Sequence, residues 1–463
     1  MNIRDAFAAL ALGDALGVTS EFASLDEVKL TYKMNYSTGW PFKCIGGGPF
    51  GFRAYHPTDD TEMAAAIVMS WKEHRGVFNG EQIANNFIAW MNTGPRCIGS
   101  TTRTALTAVK NGADWWEGGR AIWEADPHAW SNGSLMRNGV IYGMGFSLVD
   151  VFDNTLHHGM ITHWAPLAAI CCAAQSWILN DSYEIDEDNW RESFRRDWDF
   201  WMASTHDPVS KEWLELTYED QAEAWKIFED ADFDRHSFRP FDEIEHIGFC
   251  LTTLQIGIWA MQWAMSDETY PTEYLPEGFP TEPFQRTGKD VMGWVAMIGR
   301  DADTYGATAG PMVGIWHALD EDELKFLRGL DLIHGGNDII ERDGDCESMG
   351  LYWRLGTTFE YDRVSSDEDF EGVFKLTTDT YTVIYAENFA WNGPHELGFA
   401  PIVVAVLRNP SEDEVDAAML SAIKDRKALN FVCTFCAKLC QPWQSNDGTV
   451  CHGCATAHFG VVY

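Results

Sequence analysis

Two long stretches of the chain contain no Asp, Glu, Lys or Arg, and they constrain the fold more than any other feature of the sequence. They cover residues 159–180 and 247–266, and each is long enough for a membrane span. Polar residues such as His163 and Gln262 interrupt them, and the flanking sequence is acidic rather than basic, contrary to the usual flanks of membrane helices. We therefore expect two buried helices of a soluble bundle that does not contact a membrane.

The overall charge restricts the partners that this chain can bind. Its 463 residues include 70 Asp and Glu against 33 Lys and Arg, which gives a formal net charge of −37. A surface this acidic repels phosphate backbones, so general nucleic-acid binding is not expected. The N-terminus lacks the apolar core of a signal peptide, and the cysteines before residue 433 do not form the framework of a secreted domain. Both observations indicate a cytoplasmic protein.

Helical spacing of apolar residues dominates residues 1–320, and alternation typical of strands is scarce there. We predict an all-α domain over this range. The clearest predicted helices cover residues 6–17, 61–71, 101–109, 165–179 and 250–265. An acidic insert over about 181–245 also contains five tryptophans, which favours amphipathic helices with a solvated acidic face. The alternative for the insert is a docking surface for a basic partner.

A small α+β module is predicted over residues 330–463. Strand-like alternation covers residues 371–389, and residues 401–407 form a compact apolar run. Ser411 followed by Glu414 is typical of a capping box that opens a helix.

Two acidic clusters lie far apart in the chain, and each opens a predicted helix. The first is Thr58-Asp59-Asp60-Thr61, and the second is Asp301-Ala302-Asp303-Thr304. Thr and Asp are ordinary N-caps, but one cap needs only one such residue. Adjacent carboxylates repel each other without a cation, and their oxygens suit Mg²⁺ or Mn²⁺. A metal site shared by the two clusters is therefore one of two interpretations, and helix capping is the other.

Two further motifs are weak when each is taken alone. Gly13-Asp14-Ala15-Leu16-Gly17 precedes Glu21, and residues 130–137 form a turn of small residues that a ligand could approach closely.

Taken together and in this order, the motifs resemble those of the ADP-ribosylglycohydrolase family. The resemblance covers residues 3 to about 318. It depends on GDALG at 13–17 with Glu21, TDDT at 58–61, IGSTT at 98–102, SNGSLMR at 131–137, Thr162-His163 and GRDADT at 299–304. The resemblance implies an all-α orthogonal helical bundle with two magnesium ions in a central cleft.

The same resemblance implies a role for individual residues. The metal-ligand positions of the family fall on Thr58, Asp59, Asp60, Asp301, Asp303 and Thr304. Glu21 matches a mobile glutamate that gates or assists the site. The substrate positions of the family fall on Gly99 and Ser100, on the loop of Trp130, Ser131, Asn132 and Gly133, and on His163. A histidine satisfied within the core is the alternative for His163.

These residues suit the cleavage of a glycosidic bond at the distal ribose of ADP-ribose, which passes through an oxocarbenium-like state. Metal ions would orient a water molecule, and Asp60 or Glu21 would take its proton. The expected substrate is an ADP-ribosylated protein side chain, with arginine preferred. The alternatives are a free ADP-ribose derivative or small nucleotide conjugate, and a relative that binds ADP-ribose without catalysis or serves a structural role.

The C-terminal cysteines predict a second metal site. Cys433 and Cys436 precede Cys451 and Cys454 in the spacing of a zinc ribbon, in which four thiolates bind one structural Zn²⁺. The rest of this segment is nearly free of charge, so contact with a protein or simple stabilisation is expected rather than nucleic-acid binding.

Overall fold

The computed structural model divides the chain into two units, residues 1–327 and 328–463, each of which is described by itself. In the first unit the structure describes residues 3–74, 77–145, 147–180, 189–241, 244 and 247–314. In the second it describes residues 373–377, 381–386, 389–393, 396–399, 402–408, 410–427, 431–434 and 439–440.

The described residues of the first unit, which lie between 3 and 314, are helical, and this confirms the predicted all-α class. Fourteen α-helices follow one another: α1 Ile3–Gly17, α2 Leu25–Asn35, α3 Asp59–Glu73, α4 Gly80–Asn92, α5 Ser100–Lys110, α6 Glu117–Ala125, α7 Leu148–Met160, α8 Pro166–Asn180, α9 Trp190–Ser204, α10 Pro208–Leu216, α11 Tyr218–Asp230, α12 Cys250–Ala264, α13 Val291–Ala296 and α14 Ala302–Gly314. Within these described ranges, β-structure is limited to isolated bridges. The predicted helices match α1, α3, α5, α8 and α12 to within two or three residues at each end.

The two charge-free stretches form the helices α8 and α12. All residues of α8 from Pro166 to Leu179 are buried, and α12 is buried except at two positions. No single described helix is long and apolar enough to cross a membrane. The helices Asp5–Ser20 and Leu25–Thr38, taken together, have the length and the apolar composition of a membrane span. The chain bends by 100° between them, however. The charge-free stretches therefore supply the protein core.

Helices α1 and α14 pack so closely that their backbones touch. A Cβ atom added at Gly306 would overlap the carbonyl oxygen of Gly13, and one added at Gly17 would overlap that of Ala302. Gly310 lies in the same way against Ala9. Glycine is therefore required at these positions by close approach. The contact brings the residues after α1 next to the residues that open α14.

The acidic insert forms helices α9, α10 and α11. Its tryptophans face inward, with exposed fractions of 4% or less: Trp190, Trp198, Trp201, Trp213 and Trp225. Exposed acidic residues such as Asp199 and Glu219 occupy the outer faces. The insert is therefore a set of amphipathic helices, and residues 181–188 lie outside the described residues.

The described residues of the second unit form β-strands and one helix. The strands are β1 Val373–Thr377, β2 Tyr381–Ala386, β3 Phe389–Gly393, β4 Glu396–Phe399, β5 Ile402–Arg408, β6 Phe431–Val432 and β7 Leu439–Cys440, and the helix is α15 Glu412–Lys427. Strands β1, β2 and β5 form an antiparallel sheet in that order, and β3–β4 and β6–β7 form antiparallel pairs.

Ser411 and Glu414 form the expected capping box before α15, because each side chain accepts a hydrogen bond from the other residue's backbone N–H. Ile384 of β2 packs with Val415 and Met419 of α15. Cys433 is buried beside β6, whereas Cys436, Cys451 and Cys454 lie outside the described residues. The zinc site therefore stays a prediction.

Replacing Gly306 by alanine should destabilise the protein by about 1–3 kcal/mol, because the new methyl group would force α1 and α14 apart. Gly159→Ala is the matched control, since a Cβ there would meet only Ser134 at an ordinary 3.8 Å. Chemical denaturation measures both variants. Equal midpoints would contradict the assigned packing of α1 on α14.

Candidate functional site

The carboxylate of Asp14 fastens the end of α1 to the start of α3. It accepts hydrogen bonds from the backbone N–H of Thr58 at 2.9 Å and from the hydroxyl of Thr61 at 2.6 Å. The backbone N–H of Thr61 donates to it as well. A negative charge at a helix N-terminus is favourable. Asp14 thus positions the first acidic cluster, and the position fully buries its side chain.

Three separate segments bring their carboxylates together in the core. The carboxyl groups of Glu21 and Asp303 lie close together, and the charge of Glu21 interacts with those of Asp301 and Asp59. The negative charges of Asp59 and Asp301 also repel the carboxylate of Asp60. The fold therefore places the two acidic clusters and Glu21 at one site, although more than two hundred residues separate the two clusters in the chain.

Three oxygen atoms of this site are buried without a hydrogen-bond partner. They are Glu21 Oε2, Asp60 Oδ1 and Asp303 Oδ1. Burial is the largest cause of a raised pKa at all three, and neighbouring carboxylates raise it further, to about 8 for Glu21. Unpaired oxygens with raised pKa values need either protons or a cation. The donor set therefore fits a hard divalent cation.

Among the residues that the structure describes, no three His, Cys, Asp or Glu side chains are already arranged to hold a metal ion. The carboxylate oxygens of the site are therefore not in ligand positions in this structure. Hydrogen bonds within the site hold some of these oxygens, as that of the Thr58 hydroxyl to Asp60 Oδ2 at 3.0 Å shows.

The loop that precedes the short 3₁₀ helix of residues 138–143 holds the second acidic cluster. Asn132 donates its side-chain N–H to Asp301 at 2.6 Å and to Thr253 at 2.9 Å. Its backbone N–H donates to Gly248. Burial raises the pKa of Asp301 to about 6, although the hydrogen bond from Asn132 opposes that shift. The predicted substrate residue Asn132 therefore orients a predicted metal ligand.

A paired backbone contact joins Glu21 to the second cluster. The backbone N–H of Phe22 donates to Arg300, and that of Arg300 donates to Ala23 at 2.8 Å. Phe22 and Arg300 both have φ of 58°, a left-handed conformation that is uncommon outside glycine. This strained pair keeps Glu21 buried next to Asp303, while the ring of Phe22 is 55% exposed.

Three aromatic rings form one group, Phe22, Phe50 and Phe52, which we call the aromatic rim; Phe22 and Phe50 are exposed, and Phe52 is buried. The ring centroids of Phe22 and Phe50 are 6.2 Å apart, and those of Phe50 and Phe52 are 6.1 Å apart. The Arg96 guanidinium lies 5.9 Å over Phe52, and one N–H donates to the carbonyl of Phe50 at 3.3 Å. His56 stacks on Phe52 at 5.3 Å. These contacts therefore run from Phe22, the residue after Glu21, to His56, two residues before Thr58.

The predicted glycine loop lies at the start of α5. Gly99 and Ser100 are exposed, and the Gly99 backbone N–H donates to Asp59. The thiol of Cys97 also forms a hydrogen bond with Asp59, and burial raises the pKa of this thiol. The loop thus reaches the first acidic cluster directly.

The remaining predicted substrate residues lie together around His163. Ser131 Oγ is 2.8 Å from its Nε2, and a Cβ added at Gly133 would lie 2.8 Å from its Cε1. Trp130 is half-buried, and the centroid of its ring lies 4.5 Å from that of the His128 ring. His163 is both a buried, hydrogen-bonded histidine and a neighbour of the loop 130–133, so the two interpretations of it are compatible.

Three positions that belong to this site were not singled out as site residues from the sequence: Asp14, Cys97 and Arg137. Asp14 and Arg137 stand within the motifs at 13–17 and 131–137, which was the available signal. Nothing in the sequence around Cys97 indicates its contact with Asp59.

Comparison with known proteins identifies the family. The sequence profile described as ADP-ribosylglycohydrolase matches residues 2–347, about three quarters of the chain. The chain belongs to the ADP-ribosylglycohydrolase family. The expectation that it is an enzyme of the glycohydrolase class is thereby confirmed.

Three curated relatives are similar to the chain. ADP-ribosylarginine hydrolase Tri1 of Serratia proteamaculans is 26% identical over 321 residues, 67% of this chain and 70% of that protein. Tri1 of Pseudomonas putida is 30% identical over 40% of this chain and 48% of its own. ADP-ribosyl-[dinitrogen reductase] glycohydrolase of Rhodospirillum rubrum is 30% identical over 36% and 53%. The matches with the last two span only about half of those proteins.

The metal-free protein should become less stable as pH rises from about 7 to 8.5. Burial raises the pKa of Asp14 to about 7 and that of Glu21 to about 8. In this window the native state binds more protons than the unfolded state, so the free energy of unfolding falls. Buried His158, with its pKa lowered to about 3, acts in the opposite direction only below about pH 6.5.

Urea denaturation in EDTA at pH 7 and 8.5 measures this change, and Asp14→Asn should reduce it. A free energy of unfolding that rises across this window would contradict the assigned burial of the carboxylates.

Proposed function

We propose that this enzyme releases ADP-ribose from a modified protein side chain by hydrolysis of the glycosidic bond at the distal ribose. The observation that carries the proposal is the convergence of Glu21 with both acidic clusters at one buried site. The names of the curated relatives support an ADP-ribosylated acceptor, and two of them name arginine.

We further propose that two magnesium ions, or manganese in their place, bind at this site. The residues that would hold them are Thr58, Asp59, Asp60, Asp301, Asp303 and Thr304. The unpartnered oxygens of Asp60 and Asp303 support this assignment, because a buried carboxylate oxygen without a donor needs positive charge nearby. Such ions would supply positive charge that stabilises the ribose oxygens and screens a diphosphate within an acidic protein.

Glu21 is the proposed proton acceptor, with Asp60 as the other candidate. Its Oε2 has no hydrogen-bond partner, and burial raises its pKa above the ordinary value, which makes its carboxylate a stronger base. Asp60 lies on α3, and its Oδ2 already accepts the Thr58 hydroxyl. Asn132, Ser131 and the Gly99 loop would orient the ribose and phosphates.

The aromatic rim supports arginine as the acceptor. Phe22 follows Glu21 directly in the chain and is 55% exposed, so its ring is accessible to a leaving group that departs from the site into solvent. A guanidinium stacks favourably on aromatic faces. The chain itself provides an example, since Arg96 lies over Phe52 and donates to backbone carbonyls of the same loop.

The reaction can be tested with peptides that carry ADP-ribose on arginine or on serine, in Mg²⁺ and in EDTA. We expect metal-dependent release of ADP-ribose, fastest from arginine. Asp59→Asn/Asp303→Asn should abolish turnover and the increase in melting temperature that Mg²⁺ produces, because the negative charge that attracts the cation is lost. Unchanged turnover in this double variant would disprove the metal assignment.

Glu21→Gln and Asp60→Asn separate the two candidate bases. We expect Glu21→Gln to lower kcat by a factor of about 10² to 10⁴ while Mg²⁺ still raises the melting temperature. Asp60→Asn should weaken both turnover and that thermal response. If Glu21→Gln retains full kcat, Glu21 does not take the proton.

Phe22→Ala should lower kcat/KM for the arginine-linked peptide by about 2- to 30-fold, the range expected for a lost cation–π contact. Release from the serine-linked peptide and the affinity for free ADP-ribose should not change. Phe200→Ala is the control, because Phe200 is exposed to a similar extent, 61%, on the distant helix α9. Equal losses on both linkages would assign the ring to ADP-ribose instead of arginine.

A further inference from the structure

A buried arginine begins a chain of hydrogen bonds that ends at the predicted substrate loop. Arg137 is 0% exposed and lies 4.8 Å over the ring of Phe87. It donates to the carbonyl of Gly133 at 2.6 Å and to the hydroxyl oxygen of Thr162 at 2.7 Å. A guanidinium has donors only. The hydroxyl oxygen of Thr162 is therefore an acceptor in this contact.

The hydroxyl of Thr162 then determines which nitrogen of His163 is protonated. Thr162 Oγ1 lies 2.7 Å from Nδ1 of His163, and Thr162 is fully buried. If Nδ1 carried the proton, the hydroxyl oxygen would accept twice and its own hydrogen would have no acceptor among the described residues. Burying an unpaired hydroxyl donor disfavours that tautomer by roughly an order of magnitude or more. The hydroxyl therefore donates to Nδ1, and the ring proton lies on Nε2.

The orientation of the ring agrees with this assignment. Both ring nitrogens have oxygen partners, Thr162 on one side and Ser131 at 2.8 Å on the other. A flipped ring would place carbon atoms against both oxygens. Burial, together with the charge of Arg137, lowers the pKa of His163 well below its ordinary value. The imidazole is therefore neutral and donates from Nε2 to Ser131.

Ser131 is the last residue in this chain of hydrogen bonds, and it is half-buried. Because its oxygen accepts from His163, its own hydrogen is directed to another group. Its described hydrogen-bonding partners are the histidine and the backbone bridge to Phe249. The hydroxyl of Ser131 is therefore a donor, adjacent to Asn132, which holds Asp301.

We propose that Arg137 is a positioning residue that fixes His163 as the Nε2–H tautomer through Thr162. Ser131 consequently donates the proton of its hydroxyl to an oxygen of the ligand, such as a phosphate oxygen or a ribose oxygen. The identity of the ligand depends on the proposed function, whereas the tautomer does not.

Nuclear magnetic resonance of protein labelled with ¹⁵N-histidine tests the tautomer directly. The resonances of His163 are those missing from His163→Gln. We expect a proton on Nε2 and none on Nδ1 in the wild type and in Thr162→Ser, which keeps the hydroxyl. Thr162→Val should shift the population towards Nδ1–H. A wild-type ring with its proton on Nδ1, or with two protons, would overturn the proposal.

Calorimetry with free ADP-ribose tests the consequence for binding. Thr162→Val and Ser131→Ala should each weaken affinity by about 2- to 10-fold, and Thr162→Ser should not. The double variant Thr162→Val/Ser131→Ala should lose no more than Ser131→Ala alone, because both changes act through one donor. Additive losses would overturn the chain of hydrogen bonds as the cause.

The two measurements also separate this inference from the proposed function. Absence of ADP-ribose binding to the wild type would remove the proposed ligand, while the resonances of His163 would still decide the tautomer. Arg137→Lys is a further variant, since a lysine has one nitrogen and cannot bridge Gly133 and Thr162 as the guanidinium does. It should shift the tautomer in the same direction as Thr162→Val.

Discussion

The hydrogen bonds from the start of α3 to the carboxylate of Asp14 are the interaction on which the site depends. They join the end of α1 to Thr58 and Thr61, between which the first pair of aspartates lies. The close packing of α1 on α14, with Gly13 against Gly306, then brings the second acidic cluster to the same place. One buried carboxylate and one glycine contact therefore assemble a site from three distant segments.

This assembly concentrates negative charge inside the protein. Burial and mutual repulsion raise the pKa values of Glu21 and Asp303, and their orphaned oxygens have no protein donor. Such an arrangement is unfavourable unless protons or cations neutralise it. The buried cation Arg137 lies near enough to interact with Asp59 and Asp60, but its own hydrogen bonds are directed to Gly133 and Thr162. It orders the loop 130–133, the predicted substrate loop, instead of pairing with the carboxylates.

Much of the fold could be predicted from the chain itself, because helices depend on local periodicity. The capping box of Ser411 and Glu414 opens α15 as expected, and the charge-free stretches are α8 and α12. The acidic clusters were recognisable because two adjacent carboxylates exceed what a helix cap needs. The contacts of Cys97 with Asp59 had no such signal, since a lone cysteine in a loop has no local pattern.

The sequence by itself determined the helical class, the buried segments, and the residue types able to bind cations and cleave a glycosidic bond. Only the tertiary structure decided that Asp14 caps α3, that Glu21 lies with Asp303, and that Arg137 sets the proton position on His163. The physical reason is that hydrogen-bond direction and burial depend on partners that are distant in the chain. Local periodicity reports which face of a helix is buried, but not which group from another segment meets it.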